Sequence, residues 1–179
     1  LAPLRDHEIS RPALDLLKKA RGHLPSVNII DTVARQPDLL RRWMPFFNHC
    51  LHKQSLDLRK REIVILRTGW QAGSAYEWAQ HVPIALERGV KPAEVEAITS
   101  GSADPIWQGT EKVLLESVDA LMARFTLSDA EWRALLARVT TQKALDLIFT
   151  VGQYRLVAGL LSAFNVQLDG YLRFPTPVG

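Results

Sequence analysis

Four polar residues near the middle of the chain have the types and spacing that acid–base chemistry needs: Glu62, Ser74, Glu77 and His81. Glu77 and His81 are four positions apart. Side chains at that spacing lie on the same face of an α-helix, where they can share a proton. A carboxylate beside an imidazole can perform general acid–base catalysis near neutral pH. The sequence therefore predicts a proton-transfer site in the stretch 58–89.

The neighbours of these residues favour a buried site. Glu62 precedes the apolar run 63–66, so we expect its carboxyl group to be buried and its pKa to be raised. Three aromatic residues, Trp70, Tyr76 and Trp78, surround the motif. They are candidates for the walls of an apolar pocket that holds a few polar groups.

A structural role would explain the same residues. Ser74 and Glu77 fit a capping box, in which each side chain hydrogen-bonds to the backbone of the other residue and stabilises the helix by about 1 kcal/mol. In that interpretation His81 belongs to an amphipathic face or to the core, and Glu62 forms surface ion pairs. The spacing alone leaves both interpretations open.

A metal site is the third interpretation of the motif. Glu77 and His81 would be two ligands on one helix face, with Glu62 as a third. Transition-metal sites usually use more histidines or a pair of cysteines. The remaining histidines show no tight spacing with the motif; they are His7, His23, His49 and His52. We therefore expect no metal.

Size and composition exclude several classes of protein. The 179 residues fit one domain, residues 1–179, with the motif 58–89 at its centre. The net charge of +3 is dispersed, and no aromatic-lined basic groove accompanies the basic runs, so we expect no nucleic-acid partner. No apolar run reaches the ~20 residues of a membrane span. We expect no membrane partner.

The single cysteine, Cys50, bears on the compartment. One thiol cannot form an internal disulfide, and no signal peptide is visible, so we expect a cytoplasmic protein; removal of a leader before Leu1 stays open. We expect Cys50 to be a small buried residue. The alternative is a reactive thiol with His49 as its base.

The elements that must position these residues are helices, because helical periodicity runs through the chain and strand signals are nearly absent. The predicted helices span residues 12–20, 27–33, 38–51, 58–70, 74–88, 92–98, 110–125, 129–139 and 141–166. Ser26, Asp57 and Ser128 are candidate caps, the last with Glu131 in a capping box. The tail 172–179 is predicted to be extended. The fold class is therefore all-α.

The helix predicted over residues 141–166 is apolar nearly all round. Such a helix is either central in its domain or covered by a partner subunit. Both alternatives stay open at this point.

The motif resembles the carboxymuconolactone decarboxylase family, which includes the alkylhydroperoxidase D-like proteins. The resemblance rests on the helix 61–66, the turn after it, the sequence 74–81 (SAYEWAQH) and Gly89, and it extends weakly through residues 37–51 and 151–169. It implies a compact all-α multi-helix bundle. It also implies a homo-oligomer, a dimer, trimer or hexamer, with sites near subunit contacts.

The resemblance also indicates which branch of the family applies. The peroxidase branch has a glutamate, a Cys-x-x-Cys pair and a histidine, which fall on Glu62, Ser74, Glu77 and His81. A dithiol cycle needs two sulfurs, and this chain has only Cys50. The chain therefore resembles the branch that lacks the cysteine pair, and it is not expected to be a dithiol peroxidase.

The decarboxylase branch implies chemistry without a cofactor on a small-molecule substrate. That substrate would be a cyclic or lactone acid, or an acid derived from an aromatic compound, decarboxylated or isomerised during aromatic compound catabolism. In this interpretation His81 is the acid, Glu77 orients it and Glu62 relays a second proton. Ser74 would donate a hydrogen bond to the substrate, and Arg67 would pair with its charge unless it points to solvent.

The remaining site predictions are Tyr76 and Trp78 as substrate-contacting walls.

Two other functions stay open. One is a non-catalytic helical oligomer or ligand-binding protein on the same scaffold. The other is a peroxidase-like oxidoreductase that uses Cys50 alone.

Overall fold

The computed structural model describes residues 6–21 and 27–172, and within those residues every regular element is helical. The predicted all-α fold class is confirmed. The helices are α1 (Arg11–Arg21), α2 (Asn28–Val33), α3 (Pro37–Asn48), α4 (Leu58–Gln71), α5 (Ala75–Glu87), α6 (Pro92–Ser100), α7 (Gly109–Arg124), α8 (Asp129–Leu136) and α9 (Thr141–Ala163). A π-helical turn, His49–Lys53, continues α3. The Ser26 cap, His23 and the tail beyond Leu172 lie outside the described residues.

Side-chain caps start several helices where the sequence predicts them. The Asp57 carboxylate accepts a hydrogen bond from the Lys60 amide at 3.0 Å and starts α4. Ser128 and Glu131 form a complete capping box at α8. Such caps satisfy amide groups that have no partner inside the helix. The start of each of these helices is therefore determined locally.

The ends of two helices differ from the prediction. Helix α8 ends at Leu136, and α9 ends at Ala163 rather than at residue 166. Asn165 adopts a left-handed conformation with φ 48°, which lets the Val166 amide turn back to the Leu161 carbonyl at 2.9 Å. Left-handed residues of this kind end helices. The apolar pattern continues past that stop, which explains the overestimate.

Helix α4 lies at the centre of the protein, where it contacts α5, α6, α7 and α9. All residues from 61 to 69 are buried. The chain then turns at Gly73, which has a φ of 65°, so that α5 packs back against α4. This turn brings the second half of the motif against the first.

Helix α9 has a buried side and an exposed apolar side. It packs on α4, α5, α7 and α8, while Leu145, Phe149 and Leu156 are each at least half exposed. By length and composition it is the one helix in the described ranges that could cross a membrane. About half of its apolar window is buried (56%), as in the core helix of a soluble protein. Its central position accounts for only part of its apolar surface.

Candidate functional site

Glu62 of α4 and His81 of α5 are in direct contact. The His81 Nδ1 atom lies 2.8 Å from the Glu62 Oε2 atom. Glu62 is fully buried and His81 is 7% exposed. An imidazole whose Nδ1 is held by a carboxylate keeps a fixed orientation and presents Nε2 for proton exchange. This contact joins the two helices at the centre of the motif.

The second oxygen of Glu62 is bound by its sequence neighbour. Arg61 donates to Glu62 Oε1 from Nη2 at 3.0 Å and from Nε at 3.2 Å. Burial acts to raise the pKa of Glu62, but the hydrogen bonds and charges of His81 and Arg61 outweigh it and lower the pKa below its usual value. The expectation of a raised pKa for Glu62 is therefore wrong. The apolar run 63–66 does not reveal the ionic partners.

Glu77 is the carboxyl group with the raised pKa. It is 3% exposed, and neither carboxyl oxygen has a hydrogen-bond partner within residues 6–21 and 27–172. Burial alone raises the pKa of Glu77 well above the usual value and so favours the protonated, neutral form of the group. Its neighbour on α4 is Gly69, where a Cβ atom would lie 3.2 Å from the Glu77 Cβ. The helices are close here because that position is a glycine.

The partner of His81 is thus not the one that the helical spacing suggests. Glu77 and His81 lie on the same helix, four residues apart, yet the structure pairs His81 with Glu62. Glu77 makes no hydrogen bond to it. A carboxylate on the facing helix has satisfied the Nδ1 atom instead.

A cavity of about 380 Å³ opens beside these residues. Most of its walls are apolar side chains from α2, α3, α5 and α9, and no lysine or arginine is among the described residues that line it. Its lining comprises Val27, Ile29, Ile30, Met44, Phe47, Asn48, Leu51, His52, Tyr76, Glu77, Gln80, His81, Ile84, Tyr154, Val157 and Tyr171. Its size and its few polar groups are typical of a small-molecule site.

Tyr154 of α9 is a site residue that our sequence reasoning did not select. Its ring meets His81 edge-on at a centroid distance of 5.0 Å, and its hydroxyl group is buried without a hydrogen-bond partner in the described part of the chain. Burial and the nearby charge of Glu62 raise its pKa, so the hydroxyl keeps its proton. The available signal was a tyrosine inside a strongly apolar helix, since a buried hydroxyl usually needs a partner.

The segment after α9 closes one side of the cavity through Asp169. The Asp169 carboxylate accepts hydrogen bonds from the Asn28 amide at 2.8 Å, from the Gln80 side chain at 2.5 Å and from the Tyr76 hydroxyl. The Tyr171 hydroxyl lies 3.1 Å from the same Gln80 side-chain nitrogen and lines the cavity. Asp169 therefore fixes α2, α5 and the chain end around the same space.

A model of the carboxymuconolactone decarboxylase family matches residues 37–119, which include α3 to α6, most of α7 and therefore the motif. Over these residues the chain is similar to the carboxymuconolactone decarboxylase family. A comparison with curated proteins finds no match. The family match agrees with the resemblance seen in the sequence.

Solved structures of similar fold cover nearly all of the chain. The debrominase Bmp8 has a TM-score of 0.75 at 16% identity over 94% of this chain and 91% of its own. A peroxidase-related protein from Silicibacter sp. TM1040 has a TM-score of 0.77 at 14% identity over 95% and 93%. An alkylhydroperoxidase D core protein from Ralstonia eutropha JMP134 has a TM-score of 0.72 at 19% identity over 93% and 87%. At these identities the likeness concerns the fold.

Three predicted substrate-binding residues do not line the cavity. The Ser74 hydroxyl accepts from the Glu77 amide at 3.3 Å, but the Glu77 side chain does not reach back, so only half of a capping box forms. Trp78 packs in the core against Trp70, with ring centroids 5.2 Å apart. Tyr76 is the predicted wall residue that does line the cavity.

Arg67 is the third of these residues. Its Nε atom donates to Asp119 at 2.6 Å, and its Nη1 atom donates to the Ile98 and Thr99 carbonyls at 2.8 and 2.9 Å. It borders a separate, more open cavity of about 790 Å³. The arginine is therefore already paired and does not reach the space beside His81.

Cys50 is buried, as expected, and its environment disfavours the thiolate. Burial and the charge of Asp146 raise the pKa of the Cys50 thiol to about 11. His49, the candidate base, instead bonds through Nε2 to Asp146 at 2.9 Å. Across residues 6–21 and 27–172, no group of three or more His, Cys, Asp or Glu side chains is placed to hold a metal ion.

Proposed function

We propose that this protein is a cofactor-independent proton-transfer enzyme of the carboxymuconolactone decarboxylase type. Its substrate would be a small cyclic compound that enters the cavity beside His81 and is isomerised or decarboxylated there. The observation that carries the proposal is the buried Glu62–His81 pair, at 2.8 Å, with the imidazole on the cavity wall. A fixed imidazole at an apolar cavity is the arrangement that general acid–base catalysis requires.

The Glu62 carboxylate takes the orienting role in this mechanism. It holds Nδ1 of His81 and stabilises the imidazolium that forms when Nε2 accepts a proton. Arg61 keeps that carboxylate ionised by binding its other oxygen. The proton then moves only between His81 and the substrate, and Glu62 remains a carboxylate throughout.

Glu77 and Tyr154 supply hydrogen bonds in the same mechanism. The raised pKa values favour the protonated forms of both groups, and neither has an acceptor among the described residues, so each can donate to a substrate oxygen. In an isomerisation His81 removes a proton from a carbon next to a carbonyl group, the two donors stabilise the enolate oxygen, and the proton returns to another carbon. In a decarboxylation the enolate left by carbon dioxide is protonated by His81.

The rival functions have weaker support. A peroxidase-like reaction at Cys50 needs a thiolate, and the raised pKa of this buried thiol opposes it. A ligand-binding protein without chemistry would use the same cavity and differ only in the absence of turnover. The debrominase Bmp8 has been solved in complex with 2,3,4-tribromopyrrole, so one relative in fold binds a small ring compound.

We also propose that the protein assembles into a dimer, trimer or hexamer in the cytoplasm. The exposed apolar side of α9, represented by Leu145, Phe149 and Leu156, would be covered by a second copy of the chain. Contiguous apolar side chains on one helix face favour such association because it removes them from water.

The test of the proposed function measures proton exchange directly. Small cyclic ketones, lactones and their carboxylic acids are incubated with the protein in deuterated water, and NMR detects deuterium at carbon and the appearance of isomers or carbon dioxide. We expect exchange with the unaltered protein and a loss of at least about a hundred-fold in His81→Gln and in Glu62→Gln. Glu96→Gln, on the exposed side of α6, is the matched control.

The result has two informative outcomes. Exchange that needs both residues and survives in the control supports the proposal. Equal exchange in His81→Gln, or no exchange with any member of the panel, contradicts it. Melting temperatures of all variants separate lost chemistry from lost folding.

A further inference from the structure

We propose that the cavity beside His81 selects uncharged ring compounds that carry a hydrogen-bond acceptor, such as a carbonyl oxygen, and rejects carboxylates. This inference rests on the proposed function, because it names the substrate class of the same cavity. It departs from the sequence-based expectation of an acid as substrate and, within the proposed function, selects isomerisation over decarboxylation. Three observations support it: the described lining holds no lysine or arginine, the charge of Asp169 lies behind the wall, and two buried donors are unpartnered among the described residues.

Among the described residues that line the cavity, no lysine or arginine is placed to receive a carboxylate. Arg61 binds Glu62 through two nitrogens, Arg67 binds Asp119 outside the cavity, and Arg88 does not line it. His52 does line the cavity, but burial and the charges of Arg61 and Arg88 lower its pKa, so it is uncharged at neutral pH. A carboxylate entering here would lose its hydration without gaining an ionic partner.

The charge around the cavity opposes anions further. The Asp169 carboxylate accepts its described hydrogen bonds from the backbone amide of Asn28, the Tyr76 hydroxyl and the side-chain amide of Gln80. All three donors are neutral. Its negative charge is therefore not balanced by any of these partners. Tyr76 and Gln80 both line the cavity, so the charge lies just behind its wall. Like charges repel more strongly where little water separates them.

Two donors in the wall await an acceptor. Glu77 and Tyr154 both line the cavity and are both at least nine-tenths buried. Neither the carboxyl group nor the hydroxyl group has a partner among the residues that the structure describes. Buried polar groups in native proteins are nearly always hydrogen-bonded. A neutral carbonyl oxygen satisfies such donors without bringing in a charge.

The rest of the wall fits a ring rather than a chain with several polar groups. Aliphatic and aromatic side chains from α3, α5 and α9 dominate it, among them Met44, Phe47, Ile84 and Val157. A volume of about 380 Å³ is at the lower end for ligand pockets, which suits one ring or two fused rings.

The test compares ligands that differ in charge but share a ring system. The pairs are coumarin with coumarin-3-carboxylate and methyl 2-naphthoate with 2-naphthoate, and calorimetry near pH 7 measures their dissociation constants. We expect each neutral member to bind at least about ten-fold more tightly than its acid. Acids that bind as tightly as their neutral partners, or neutral members that do not bind, overturn the inference.

A charge introduced by mutation sharpens the comparison. Asn48 lines the cavity and is half-buried, so Asn48→Lys places a cation at its wall. We expect this variant to bind the two acids at least about ten-fold more tightly than the unaltered protein does. Glu96→Lys adds a lysine on the exposed side of α6 and should leave the acids weakly bound. Equal acid binding in the two variants contradicts the inference.

The binding measurement tests the inferred ligand class, and the exchange measurement tests the proposed function, so the two can fail independently. Selective binding of the neutral ligands without deuterium exchange would leave this inference standing and contradict the proposed function. Exchange or decarboxylation of bound acids would do the reverse.

Discussion

Replacing Glu77 with glutamine should stabilise the protein, and the gain should grow with pH. The folded protein keeps the Glu77 carboxyl group protonated because burial raises its pKa, whereas the unfolded chain releases the proton near the usual pKa of about 4.3. Above that pH the unfolded state is favoured by proton release. The wild-type protein therefore loses stability as pH rises through this window, up to the raised pKa of the folded state.

The size of the effect follows from one proton. Each pH unit inside the window removes up to about 1.4 kcal/mol from the free energy of unfolding of the wild-type protein. Glu77→Gln has no proton to release and lacks this slope. With a urea m-value of about 2 kcal/mol/M, the two midpoints separate by about 0.7 M per pH unit.

The assay is urea unfolding followed by circular dichroism at several pH values between about pH 5 and pH 8. Glutamine has nearly the same shape as the neutral acid, and its amide is also left without a partner, so a constant offset carries no information. The informative quantity is how the difference between the two urea midpoints changes with pH. A Glu77→Gln midpoint that stays parallel to the wild-type midpoint across the range would refute the neutral, buried state of this carboxyl group. Glu96→Gln, at an exposed position, should show no such slope.

Three further predictions concern the elements around the site. Glu62→Gln leaves the buried Arg61 without its charge partner and should lower the free energy of unfolding by about 3–5 kcal/mol in urea titrations. The pKa of Glu62 is lower in the folded than in the unfolded state, so its contribution to the free energy of unfolding is present above the unfolded pKa and is lost as the pH falls through the folded pKa. A difference in unfolding free energy between wild type and variant that does not change with pH would contradict this. Asp169→Asn weakens the bonds to α2 and α5, and the Asn28 amide should exchange its hydrogen faster, while amides in the middle of α4 keep their rates. Leu156→Glu places a charge on the exposed side of α9 and should yield a monomer in light scattering; an unchanged mass would place the subunit contact elsewhere.

Local interactions explain why so much of the fold is readable from the sequence. Asp57 and the pair Ser128 and Glu131 start their helices through bonds that span only three residues. Helical periodicity needs no knowledge of the neighbouring helices either. The end of α9 was harder to predict, because the left-handed turn at Asn165 interrupts a pattern that is still apolar.

For the site residues, too, local sequence signals were predictive and contacts between helices were not. The motif pointed to Glu62, Glu77 and His81 by residue type and spacing, and all three are buried in the same region. The properties of the two glutamates are nevertheless the reverse of those expected, which were a raised pKa for Glu62 and contact with His81 for Glu77. Glu62 is ionised and bound to His81, whereas Glu77 is isolated and neutral. Spacing on one helix cannot reveal a partner on the helix that faces it.

The sequence by itself determined the all-α fold, the resemblance to the carboxymuconolactone decarboxylase family and the stretch where acid–base residues concentrate, since these depend on residue types and on contacts within a few positions. Tertiary structure alone decided which carboxylate meets the imidazole, that Arg67 lies apart, and that Tyr154 and Asp169 border the cavity. Those relations join residues that are tens of positions apart in the chain. The pKa of a carboxyl group depends on burial and on the nearest charges, so it is known only when the helices are packed.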